Sequence, residues 1–137
     1  MNNEKKLVFM LVADEDDRVL TSSTLQELGH NVPIRFLSHS TELFAALKEQ
    51  TPSIILIDYN IAPEPGVEIL KQLKSDERYS SIPIVILTDS PLWHYHAQCY
   101  SHGASTVIKK PDTGKMTTHK IRTFFDYWVD VAETYSQ

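Results

Sequence analysis

The sequence predicts an α/β fold, a doubly wound, five-stranded parallel sheet of (βα)5 connectivity. Short, nearly unbroken apolar runs alternate five times with longer segments of helical spacing. Three of the runs show almost no polar alternation, as parallel strands covered on both faces require. A chain of 137 residues is one domain's worth, too short for two separate cores.

The first strand is predicted over Leu7–Ala13 (LVFMLVA) and runs into Asp14-Glu15-Asp16-Asp17. A helix over 17–28 follows, with Val19, Leu20, Leu25 and Leu28 on one side and Gly29 as its stop. Val32–Leu37 (VPIRFL) is the second strand, and TELFAALKEQ is a helix behind Ser40 as N-cap, with Leu43, Phe44 and Leu47 as its stripe. The third strand, Ser53–Asp58 (SIILID), ends in a carboxylate. The helix after it, over 65–75, turns Val67, Ile69, Leu70 and Leu73 inward. Pro83–Thr88 (PIVILT) is the fourth strand, followed by a less clearly patterned helix over 91–102. The fifth strand, Ser105–Lys109 (STVIK), leads through Lys110-Pro111 to a last helix over 115–133. There Ile121, Phe124, Phe125, Trp128 and Val131 recur at helical spacing. FFDYWV would also suit a strand, but the length of the pattern decides for helix.

Composition narrows the function. The chain is 42% hydrophobic and 23% charged, as ordinary globular domains are. Its net charge of −5, from 13 Lys and Arg against 18 Asp and Glu, argues against a nucleic-acid partner. Cys99 is the only cysteine, so no intrachain disulfide can form, which fits a reducing compartment. The Leu7–Ala13 run is too short to span a bilayer and lacks a signal-peptide cleavage pattern, so no membrane partner is expected. Cytoplasmic is the expected location.

Right-handed crossovers put helices on both faces of such a sheet, and ligands then bind outside the carboxyl ends of the strands. At those ends the sequence delivers the acids from Asp14 onward, Asp58, Thr88 and the Lys109-Lys110 pair. Clustered carboxylates repel unless a cation neutralises them, and hard oxygen ligands suit Mg²⁺. A carboxylate beside Mg²⁺, an ammonium and a hydroxyl is equipped to accept a phosphoryl group.

With these residues the chain resembles the response-regulator receiver domain of two-component signalling, the CheY-like family, over nearly its whole length. Asp58, Thr88 and Lys110 carry the family's phosphoacceptor, hydroxyl and lysine. Thr88 follows Asp58 by 30 residues and Lys110 follows Thr88 by 22, as is usual there. Gly66 matches the loop glycine, and Asn60 the position whose backbone carbonyl ligates metal. The resemblance implies the flavodoxin-like strand order 2-1-3-4-5 and Mg²⁺ as cofactor. It also implies phosphorylation of Asp58 by a histidine kinase or phosphotransfer partner. Asp14, 44 residues before Asp58, falls at the direct metal ligand. Its expected acidic predecessor is Ala13, which has no oxygen. A one-residue slip makes Asp14 and Glu15 the pair, and otherwise Asp14 and Asp58 hold the ion alone. Two further departures stand out. Ala62 replaces the usual loop proline, with Pro63 and Pro65 nearby, and Val107 replaces the strand-5 aromatic that commonly rotates with the Thr.

The expected protein is a single receiver domain over 1–137, with its core at about 6–133, that is not an enzyme and acts on a downstream protein target. The alternative is a degenerate receiver used as a phosphorylation-independent binding module, motivated by Ala13, Ala62 and Val107. An Asp-nucleophile phosphohydrolase fits poorly, because Asp58 ends the third strand and Asn60 cannot act as the general acid. His96, Cys99 and His102, spaced by three, drift round a helix and converge too poorly for a metal. Trp93 reads as a packed aromatic or an exposed partner contact. The surplus of aromatics on the last helix, Tyr127 and Tyr135 among them, suits either core packing or a homodimer face. That face would be formed by the fourth helix, fifth strand and fifth helix.

Overall fold

The computed structural model describes residues 7–28, 33–59, 61, 65–88, 93–109 and 118–131. Its strands are β1 (Val8–Leu11), β2 (Ile34–Leu37), β3 (Ile54–Asp58), β4 (Ile84–Thr88) and β5 (Thr106–Lys109). They form one parallel sheet in the order β2-β1-β3-β4-β5. The helices between them are α1 (Glu15–Leu28), α2 (Ser40–Glu49), α3 (Gly66–Lys74) and α4 (Trp93–Ser101), and α5 (Thr118–Phe125) follows β5. This is the (βα)5 architecture expected from the alternating runs.

The three saturated runs become the three interior strands, buried at every position, while the edge strands β2 and β5 are half-buried. The pleat sends alternate side chains to opposite faces. Phe9, Leu11, Ile55, Ile57, Ile84 and Ile86 form one core with Leu43 and Leu47 of α2 and Ile69, Leu70 and Leu73 of α3. Val8, Met10, Leu56, Val85 and Leu87 form the other with Leu25 of α1 and Ile121, Phe124 and Phe125 of α5. The sheet is thus covered on both sides and opens to solvent at its two ends.

Three local expectations shift. On α1 the buried face is Asp17, Thr21, Thr24 and Leu25, whereas Val19 is 59% exposed. Thr21 satisfies its hydroxyl by donating to the Asp17 carbonyl at 2.7 Å, so a polar face can sit inside. On α2, Ser40 is the first helical residue and His39 takes the N-cap position. Glu42 reaches back to accept from the Ser38 and His39 N–H groups at 2.6 and 3.2 Å. The Ser38 bond above all holds its carboxyl below the usual range. The last helix widens after Phe125 into π-type hydrogen bonding over Asp126–Val131. The predicted stop at Gly29 and Pro91 lie outside the described residues, as do 115–117 and 132–133.

Opposite the carboxyl edge, Lys74 ties two connections together, that between α3 and β4 and that between α4 and β5. Its ammonium donates to the Ser80 and Ile82 carbonyls at 2.9 and 3.0 Å, and burial pulls its pKa down. Its stem runs beside Gly103, whose φ of +103° admits few other residues. Lys74→Met keeps the stem and deletes the donor. It is expected to lower unfolding free energy by about 1–2 kcal/mol with an unchanged urea m-value, read from denaturation curves.

Candidate functional site

Strand register assembles the site. Asp58 is the last residue of β3 and pairs with Leu87, so Thr88 stands one residue further on, on a neighbouring strand about 4.8 Å away. Thr88 in turn aligns with Lys109 at the tip of β5. On the other side β1 aligns Leu11 with Ile57, which carries the β1–α1 turn past the Asp58 level. Asp58 is 9% exposed and Thr88 1%, so both polar side chains end strands that are otherwise apolar and closed.

Asp14 is half-buried in the β1–α1 turn. Its Oδ1 accepts from the Asp16 and Asp17 N–H groups at 2.8 and 3.2 Å, which makes it the N-cap of α1 and fixes its direction. Glu15 is exposed and lines a groove between α1 and β2 with Arg18, Val19 and Phe36. The register thus brings together the tips bearing Asp14, Asp58 and Thr88, and Glu15 faces outward. Asn60, Ala62, Pro63 and Lys110 lie outside the described residues. Among the described residues no three His, Cys, Asp or Glu side chains cluster as a metal-holding group. A cation here would draw on Asp14 and Asp58 and be completed by backbone carbonyls and water, a hard-oxygen set that fits Mg²⁺.

The loop after Asp58 is closed by the Gly66 N–H donating to the Tyr59 carbonyl at 2.7 Å. A Cβ on Gly66 would lie 2.9 Å from both the Asp58 carbonyl oxygen and the Tyr59 Cα. Only glycine lets α3 begin against the very residue that bears the carboxylate.

Sequence reasoning missed one feature. Beside Asp58, the Tyr59 ring packs at a tilt against Tyr95 at 5.8 Å, Tyr95 against His94 at 4.4 Å, and His94 meets Trp93 edge-on at 6.3 Å. Burial raises the Tyr59 phenol's pKa above its ordinary value. Trp93 is 76% exposed, the exposed alternative of the two weighed for it. The signal available in advance was Tyr59 itself, an aromatic directly after a strand-terminal acid. Cys99 is buried and the described flank of α4 offers no metal set with His96 and His102. On the last helix Phe124 and Phe125 are core residues and Tyr127 is exposed. Tyr135 lies outside the described residues. No helix among the described residues is long and apolar enough to cross a membrane.

An open parallel sheet of order 2-1-3-4-5 with acids and a hydroxyl at its carboxyl edge defines the flavodoxin-like class of doubly wound proteins. Within that class the chain belongs to the response regulator receiver domain family, whose model matches residues 10–122. A chemotaxis protein CheY homolog of Campylobacter jejuni is 24% identical over 115 residues, 82% of this chain and 88% of its own. Two solved structures share the fold. The phosphorylated cyanobacterial phytochrome response regulator RcpA superposes with a TM-score of 0.88 at 21% identity, over 97% of this chain and 100% of its own. The Mn²⁺-bound form of response regulator Rcp1 gives 0.86 at 20%, over 96% and 99%.

The close approach at Gly66 sets a test. Gly66→Ala forces α3 away from the Asp58 carbonyl and is expected to cost about 1–3 kcal/mol, by chemical denaturation. The amide shifts of Asp58 and Tyr59 should move in the same variant.

Proposed function

We propose that this receiver domain is a phosphoacceptor. An Asp58 carboxylate oxygen attacks the phosphorus of a phosphohistidine on a histidine kinase or phosphotransfer partner. The P–N bond breaks as the P–O bond forms, and the imidazole nitrogen leaves with the electron pair and takes up a proton. The observation that carries this reading is a nearly buried carboxylate at the tip of β3 with the buried Thr88 hydroxyl on the adjacent strand. Low solvent exposure keeps water from competing and strengthens every charge interaction at the tip.

Each residue has its part. Asp14 and Asp58, with the Asn60 carbonyl, would hold Mg²⁺, and Glu15 would reach it only through water. Bound there, Mg²⁺ would neutralise charge on the transferring phosphoryl oxygens. Lys110 would pair with the bound phosphoryl group, and Thr88 would donate a hydrogen bond to it. That one neighbour in fold is phosphorylated and another holds Mn²⁺ supports the reading.

The output is protein–protein contact, as a signalling module rather than an enzyme with turnover, in the cytoplasm, with neither nucleic acid nor membrane as partner. The surface proposed for it, or for a homodimer, is α4–β5–α5. There Tyr100 and Tyr127 are exposed, and a groove of about 700 Å³ runs between β5 and α5 past Ile108, Phe124 and Trp128. The second reading, a binding module that needs no phosphate, is motivated by Ala13, Ala62 and Val107, of which Ala13, at the expected acid, thins the metal set.

Incubation with acetyl phosphate and millimolar Mg²⁺ is expected to label the wild-type chain, and Asp58→Asn is expected to abolish the label, by intact-mass spectrometry. An unlabelled wild type would hand the case to the binding-module reading.

A further inference from the structure

One residue, Arg18, brackets the turn that holds Asp14. The β1–β2 ladder continues past β1, with the Val12 N–H donating to the Leu37 carbonyl at 3.0 Å. In a parallel ladder the Val12 carbonyl would take the next rung from the His39 N–H. That N–H is instead given to Glu42, at the start of α2. Arg18 supplies the missing donors. Its Nε and Nη2 reach the Val12 carbonyl at 2.9 and 2.6 Å, and Nη2 also donates to Ser38 Oγ at 2.8 Å. The guanidinium lies over the Phe36 ring, 5.6 Å from its centroid. The backbone N–H of the same residue donates to the Asp14 carbonyl at 3.2 Å. Arg18 therefore contacts the chain before Asp14 with its side chain, at the Val12 carbonyl, and after it with its backbone N–H, and the side chain ties the turn to β2 through Ser38.

We infer that Arg18 is the positioning residue of this turn, holding the capped Asp14 at the place relative to the strand tips from which its carboxylate binds the divalent cation. The inference rests on the phosphoacceptor reading above. Its chemistry is that of an outer partner that orients a ligand without touching the ion. The need for it follows from the thin acid set: Ala13 has no oxygen to offer and Glu15 is exposed, so the ion would rest on Asp14 and Asp58 and on where the turn places Asp14. A lysine offers a point charge in place of the planar fork and cannot reproduce the doubled donation to one carbonyl.

The experiment is a Mg²⁺ titration of the whole chain, followed by amide chemical shifts, with acetyl phosphate labelling measured across the same Mg²⁺ range. Arg18→Met is expected to raise the half-saturating Mg²⁺ concentration by about tenfold, and Arg18→Lys by about threefold. The labelling rate at saturating Mg²⁺ should stay within about twofold of wild type, because the reacting groups are unchanged. Charge alone predicts the reverse. Removing a cation beside an acidic turn would tighten Mg²⁺, so weakening is the signature of positioning. A folded Arg18→Met that binds Mg²⁺ as well as wild type, or better, overturns the inference. If that variant does not fold, Arg18→Lys decides by the same criterion. A wild-type chain without any Mg²⁺ response overturns the phosphoacceptor reading itself, a result visible before any variant is compared.

Discussion

Closure of the three interior strands on both faces is the constraint on which the rest depends. Every side chain of β1, β3 and β4 is taken from water, so no polar group can sit along their length without a partner. Polar chemistry is driven to the tips, where the backbone ladder ends and helix N-termini begin. Asp58 and Thr88 stand there because it is the one position on those strands where a carboxylate and a hydroxyl can keep partners and still meet a ligand. The same closure makes the site rigid: moving Asp58 means moving a strand packed in two cores.

Rigid tips leave the turns to be secured, and the chain does so by satisfying backbone groups that the strands abandon. Asp14 caps α1, Glu42 caps α2, and Arg18 takes the carbonyl that α2 has deprived of its rung. Gly66 removes a side chain so that α3 can start against Asp58, and Lys74 collects two loop carbonyls at the far end. These devices differ in chemistry and share one cause, the cost of a backbone polar group left without a partner.

The β5 edge shows the same logic at the proposed output surface. Its outward Val107 N–H donates to the Tyr100 hydroxyl at 3.0 Å, and the Lys109 carbonyl accepts from the Lys120 ammonium. Side chains from α4 and α5 thus close an edge that would otherwise template another strand. An aromatic on α4, where sequence comparison looks for one on β5, now links that edge to the helix bearing Trp93.

By itself the sequence determined the strands, their parallel packing and the residues at their tips. Saturated apolar runs have one stable placement, and a polar residue ending such a run can only lie at the sheet's edge. The spacing of Asp58 and Thr88 carried the family for the same reason. Only the tertiary structure decided which face of α1 is buried, because Thr21 can hide by bonding its own helix while Val19 stays in water. It also decided that Glu15 is exposed in a groove with Arg18 and Phe36, and that Arg18 and Tyr59 belong to the neighbourhood of the site. Those outcomes depend on contacts between residues distant in the chain, Arg18 with Ser38 and Tyr59 with Tyr95, which periodicity does not encode.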